Sequence, residues 1–151
     1  MKKFAFTLAP VLEHRKRIED EKQVIVATRK RELDETEREL ARLHDEFRVH
    51  SEMLRDRHRE LDTGQLQSVY AHLQFVDRCI VAQVSIVAER RAALNRARTD
   101  LLDASKNKKI VEKLKERRRA AHALEEQRFE QKELDDGNAR RYGRVQVGGS
   151  P

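Results

Sequence analysis

The stretch Leu66–Leu101, LQSVYAHLQFVDRCIVAQVSIVAERRAALNRARTDL, decides the fold. Leu66, Leu73, Ile80, Val87, Leu94 and Leu101 stand at strict intervals of seven, and Val69 and Val76 occupy the companion position. Such a repeat lays one narrow apolar stripe along an α-helix, and a stripe of that width is a seam for a partner helix. Upstream, no Gly or Pro interrupts the chain between Pro10 and Gly64. Val11, Ile18 and Ile25 recur at seven, and Leu33, Leu40, Leu43, Phe47 and Leu54 continue in steps of seven, three and four before ending at Leu61. Pro10 suits the first turn of a helix, where a missing N–H costs nothing. Asp62-Thr63-Gly64 is expected to close that helix, with Gly64 in the left-handed position after its last turn.

Downstream of Leu101 the apolar positions Ile110, Leu114, Ala121 and Leu124 leave the frame, which predicts a stutter or stammer across Ser105-Lys106-Asn107. The second helix is expected to end near Leu134, at Asp135-Asp136-Gly137-Asn138. The reading is therefore all-α: two long helices, Pro10–Leu61 and Leu66–Leu134, in an antiparallel coiled-coil hairpin over residues 1–136. The turn falls at about 62–65, and a disordered tail covers 137–151. A first helix of about 50 residues spans roughly 75 Å, and the second outlasts it, so its C-terminal end overhangs, meets the Phe4 to Pro10 segment or finds another protein.

Composition agrees. Of 151 residues 40% are charged and 5% aromatic, with five Gly and two Pro, against roughly 25% charged and about 7% Gly in an ordinary globular domain. That excess belongs to long helices with few turns and to one domain at most. The net charge of +6 permits contact with nucleic acid or anionic membranes without demanding either, since mixed charge is the solvent face of any long helix. A single cysteine, Cys79, excludes an intrachain disulfide and fits the cytosol. Met1-Lys2-Lys3 followed by Phe4 to Leu12 imitates a secretory signal, but the charge run from Glu13 to Lys22 ends the imitation. No run approaches the ~18 apolar residues of a membrane span.

Little here points to chemistry. None of the five glycines precedes Lys-Ser or Lys-Thr, so the chain has no phosphate-binding loop. The six histidines fall in no His-Glu-x-x-His frame, and Cys79 alone completes no structural zinc site. No metal, cofactor or catalytic residue is assigned, and the protein is read as a non-enzyme. Two anomalies remain. Between Leu66 and Ala88 only Asp77 and Arg78 are charged. Tyr70, Phe75, Cys79, Val81, Val84 and Ile86 are apolar too and cannot all face the first helix, so the stretch is a partner surface, a self-association face or only a wide seam. The run Lys106, Lys108, Lys109, Lys113, Lys115, Arg117, Arg118 and Arg119 is a solvated face, a site for an acidic partner, or a contact for nucleic-acid phosphates. The absence of interleaved aromatics disfavours single strands.

Several segments together resemble one family. They are Phe4-x-Phe6-x-Leu8-x-x-Val11-Leu12-x-x-Arg15-x-x-x-Glu19, the pairing Ile80-x-x-Gln83, Lys109-Ile110-Val111-Glu112-Lys113-Leu114-Lys115-Glu116-Arg117, and Glu130-Gln131-Lys132-Glu133-Leu134-Asp135. In order and spacing they resemble the flagellar FliJ proteins, and the stalk proteins of virulence type III secretion are similar. The resemblance implies a coiled coil like the shaft of rotary ATPases. It would link the hexameric flagellar export ATPase to the cytoplasmic domain of the export gate and assist the recycling of export chaperones. It would work in the cytoplasm, reaching the membrane at the base of the flagellar export apparatus only through protein partners, without nucleic acid. It also implies a gate-binding surface of Leu43, Glu46, His50, His72, Val76, Cys79 and Gln83, although the family often carries aromatics where this chain has Glu46, His50 and His72. At the other end, Phe4, Phe6 and Leu8 are expected to form an apolar plug, and Lys113, Arg117, Arg118 and Arg119 to supply charge for contact with the ATPase ring. The other classes left open are a basic nucleic-acid-binding coiled coil and a purely structural dimer.

Overall fold

The computed structural model describes residues 2–148. Two helices account for its secondary structure: α1, Ala9–Arg57, and α2, Thr63–Val147, packed as an antiparallel hairpin. Among the described residues no strand occurs, and no helix is long and apolar enough to cross a membrane. Pro10 lies in the first turn of α1, as its lack of an N–H requires. The chain divides into two compact units, one of Ile18–Ala104 and the other of the residues before Ile18 together with those after Ala104.

The connection sits one turn earlier than the sequence suggests, at 58–62. Asp62 does not help to close α1; it opens α2. Its Oδ1 accepts the backbone N–H of Gln65 at 2.7 Å, while its own N–H donates to Gln65 Oε1 at 3.1 Å. This reciprocal pair is a capping box, which satisfies two donors that a helix N-terminus otherwise leaves without partners. Gly64 accordingly lies inside the first turn of α2, and among the described residues none has a positive φ. A left-handed glycine and a capping Asp predict opposite ends of a helix from the same three residues; the side-chain acceptor at Asp62 and the Gln three positions on decide for the start.

Within Ile18–Ala104 the core is a single seam. Leu33, Val87 and Leu94 form its buried centre, with Val26 and Leu40 packed against them, and Leu43, Leu54, Leu73, Val76, Ala97 and Ala104 are buried along it. On α1 the seam counts in sevens through Val26, Leu33, Leu40, Phe47 and Leu54. Ile25 therefore lies on the seam's flank and is exposed, while Ile18 is half-buried.

In the other unit the same off-by-one appears: Leu12 is 4% exposed and Val11 39%. The series Val11, Ile18, Ile25 is a true seven-residue repeat one position off the seam. The in-frame residues between Leu12 and Val26 include Glu19, half-buried and polar, so apolarity alone selects the wrong set. The expected stutter or stammer is also absent. Ile110 is 66% exposed, and the positions that continue in sevens from Leu101 are the half-buried Lys108, Lys115 and His122. The frame persists, but polar side chains occupy it. Finally, α2 does not stop at Asp135–Asn138; it runs to Val147 with every residue from 123 to 147 exposed. Gly137 costs about 1 kcal/mol relative to Ala in a helix interior, too little to end a helix in which no Pro intervenes. The last three residues of the expected tail, 149–151, lie outside the described residues.

Candidate functional site

In the Ile18–Ala104 unit a groove of about 530 Å³ opens beside the seam, lined by Glu39, Arg42, Leu43 and Glu46 of α1 and by Phe75, Val76, Cys79, Ala82 and Gln83 of α2. Its floor is Val76, 1% exposed, with Leu43. Its α1 wall is a charge network. The Arg42 guanidinium grips Glu39 through two bonds, Nη2 to Oε1 at 2.6 Å and Nε to Oε2 at 2.9 Å, and reaches Glu46 Oε2 at 3.2 Å. The hydrogen bond from Arg42 holds the Glu39 carboxyl below the usual carboxylate range against the opposing effect of desolvation, and the bond to Glu39 in turn raises the Arg42 pKa. The α2 wall is largely apolar, and Phe75 at its edge is 57% exposed. Tyr70, Val81, Val84 and Ile86 on the same stretch of helix are also exposed. Ile86 shares the Phe75 flank, whereas Tyr70 lines a separate groove with Phe47, Leu73, Gln74 and Asp77; exposed apolar side chains on both flanks of one charge-poor stretch are unusual for a solvated helix face.

Polar contacts cross from one helix to the other around the groove. Gln83 Nε2 donates to the Thr36 carbonyl at 3.0 Å, and His72 Nε2 lies 3.0 Å from Glu46 Oε1. His50 stands beside His72, their ring centroids 4.6 Å apart. Farther along, Arg91 pairs with Glu37 at 3.1 Å and Arg90 with Glu32 at 3.7 Å.

The other unit brings the N-terminal segment onto the outer part of α2. The Phe4 ring meets His122 edge-on at 5.6 Å, the Arg118 guanidinium lies 5.8 Å from the centroid of Phe6, and Arg118 Nη1 donates to Thr7 Oγ1 at 3.1 Å. His122 Nε2 sits 2.9 Å from the Lys2 carbonyl. Phe4, Phe6 and Leu8 are thereby half-buried. A shallow groove of about 390 Å³ follows, lined by Leu12, Lys16, Glu112, Lys115, Glu116 and Arg119. Lys113, Arg117 and Arg119 are exposed.

The profile of the flagellar FliJ proteins matches residues 4–146, almost the whole of this hairpin. The chain belongs to the FliJ family. A solved structure described as a YscO homolog from Chlamydia trachomatis is similar in fold, at 21% identity and a TM-score of 0.54, covering 97% of this chain and 99% of that one. No curated protein sequence matches the chain. This member of the FliJ family is thus a two-helix coiled-coil protein of a kind associated with type III export.

Of the gate-surface residues expected from sequence, the FliJ-family hairpin gathers Leu43, Glu46, Val76, Cys79 and Gln83 around one groove. His72 joins them through Glu46, and His50 through its ring contact with His72. Leu43 and Val76 are buried, so they shape the groove while Glu46, Cys79 and Gln83 line it. Phe75 was not among the residues expected for the gate surface, although the charge-poor stretch marks it as one of the apolar side chains that do not all fit the seam. The signal for it was present, since it stands one residue before the seam position Val76 in the charge-poor stretch, where a large aromatic cannot turn inward. At the terminal end the four cations separate: Arg118 is engaged with Phe6 and Thr7, and Lys113, Arg117 and Arg119 face solvent.

Proposed function

We propose that this protein is a flagellar type III export component, a coiled-coil stalk that links the hexameric export ATPase to the cytoplasmic domain of the export gate and assists export-chaperone recycling. It acts by binding rather than by chemistry, in the cytoplasm, and it reaches the membrane through protein partners as part of the machinery for motility. The observation that carries this reading is the groove flanked by exposed Phe75 on the charge-poor stretch of α2, in a chain of the FliJ family. An exposed aromatic beside a groove with an apolar floor is the composition of an interface anchor, since aromatic residues dominate binding energy where a pocket receives or surrounds them. Gate docking on this surface leaves the terminal unit, with Lys113, Arg117 and Arg119 exposed, for the ATPase ring. A stalk that contacts some ring subunits and not others shifts their conformational equilibrium through those differential contacts.

The test is the affinity of the purified protein for the purified cytoplasmic gate domain, measured by calorimetry. Phe75→Ala is expected to weaken binding about tenfold or more, a loss of about 1.4 kcal/mol, with helix content unchanged because Phe75 fills no core position. Unaltered affinity with unaltered helix content would remove the gate from this surface.

A further inference from the structure

Near the turn end of the Ile18–Ala104 unit, two neighbouring side chains of α1 meet a third that comes from α2. Glu46 and His50 lie one turn apart on α1, and His72 faces them from α2. One donor atom from each lies within 4.8 Å of the other two. Two of the three are also restrained by a second contact. His50 Nδ1 sits 2.8 Å from the Glu46 carbonyl oxygen; a carbonyl only accepts, so the proton resides on Nδ1 and the lone pair on Nε2 is left available. Arg42 holds Glu46 Oε2 at 3.2 Å, which leaves Oε1 turned toward His72 Nε2, 3.0 Å away. Fixing the tautomer of a histidine and the orientation of a carboxylate through their outer atoms is what surrounding groups do at metal centres.

We propose that Glu46, His50 and His72 form a binding site for a divalent cation of the zinc class that bridges the two helices. The ligands would be Glu46 Oε1, His50 Nε2 and His72 Nε2, with water in the remaining position. Zinc bonds to imidazole nitrogen and carboxylate oxygen at about 2.0–2.2 Å, which sets two ligands of one ion roughly 3 to 3.5 Å apart. The His72–Glu46 pair already has that separation, and the third atom closes by rotation of half-exposed side chains. Two imidazoles and one carboxylate select zinc, nickel or copper over magnesium and calcium, which prefer oxygen donors. On binding, the ion replaces the Nε2 proton of His72, which is lost to solvent while Nδ1 takes one up, so the ring stays neutral.

The proposal stands apart from the gate reading, because the purified chain alone tests it. Untagged full-length protein is titrated with zinc chloride in competition with a chromogenic chelator, and cobalt(II) serves as a spectroscopic probe of the site. One ion per chain is expected. His50→Ala and His72→Ala should each weaken zinc binding at least about tenfold, whereas His44→Ala, on the exposed face of α1, and Cys79→Ser should leave it unchanged. Because the site joins two helices, zinc should raise the melting temperature of the unaltered protein and not that of His72→Ala. If His72→Ala loses helix content, Glu46→Gln and His72→Gln, which keep the size of the side chain, give the same reading. Failure of the unaltered protein to bind zinc, retention of full affinity without His50 or His72, or loss of binding in Cys79→Ser would each overturn the site.

Discussion

Leu94→Ala tests the seam where the structure makes its strongest statement. Leu94 is 2% exposed and packs with Leu33 and Val87 at the centre of the buried cluster. The substitution removes three carbons, about 2.4 kcal/mol at 0.8 kcal/mol per buried methylene, and leaves a cavity whose cost depends on how far the site can collapse. A seam between only two helices is open along both flanks, so Val26 and Leu40 can settle inward and the cavity contribution stays small. The expected loss is therefore about 2.5–3.5 kcal/mol, in the lower half of the range for Leu→Ala in closed cores. The shift in melting temperature should be about 5–14 °C for a chain of this size. Thermal and urea unfolding followed by far-UV circular dichroism measure it. Ile110→Ala is the internal control, because Ile110 is 66% exposed and its change should stay within about 0.5 kcal/mol. Equal losses in the two variants would refute the frame, since only a shift of register after Leu101 would carry Ile110 onto the seam with Leu94.

Two further outcomes follow from the geometry. Asp62→Ala removes the acceptor for the Gln65 N–H and should cost about 1 kcal/mol, whereas Asp62→Asn should recover most of it; the same unfolding curves decide. Arg117→Glu with Arg119→Glu should reduce stimulation of the cognate export ATPase without loss of helix content, because both side chains are exposed. Full stimulation by that folded variant would make the basic run a solvated face.

The fold was legible because the strict repeat from Leu66 to Leu101 fixes both the period and the face of α2. The same rule failed where polar residues occupy seam positions. Val11, Ile18 and Ile25 keep the period but not the face, since the true seam passes through Glu19. Ile110 and Leu124 drew the frame away from Lys108, Lys115 and His122, whose long or amphipathic side chains cover the seam while keeping their polar ends near water. Asp62 was assigned to the wrong helix because its role depends on a side-chain hydrogen bond that residue type alone does not place. The groove was half legible: the i, i+4 and i, i+3 spacing of His72, Val76, Cys79 and Gln83 put them on one stripe. The convergence of Glu46 and His50 with His72 depends on two helices meeting in one register, which no local spacing reveals.

That register has its own physical cause. Leu33, Leu40, Phe47 and Leu54 repeat at seven, and so do Leu73, Ile80, Val87 and Leu94, so sliding one helix past the other by a whole heptad would again set apolar residues against apolar residues. Burial alone discriminates weakly among such alignments. The five-residue connection at 58–62 opposes a slip, because a displacement of seven residues, about 10 Å along a helix, would require one helix to unwind. The cross-helix polar contacts oppose it as well. A slip would strip Gln83 from the Thr36 carbonyl, His72 from Glu46 and Arg91 from Glu37. The exposed ion pair contributes little stability, but the half-buried contacts of Gln83 and His72 would be lost without replacement, and polar residues at a coiled-coil seam are an established means of choosing one register. The groove depends on that choice: only in the observed alignment do Arg42, Glu46, Phe75 and Cys79 share one opening. Polar residues thus act on this hairpin in two ways: Glu19, Lys108, Lys115 and His122 hide the seam from the apolar pattern, whereas Gln83, His72 and Glu46 fix the register on which the candidate site depends.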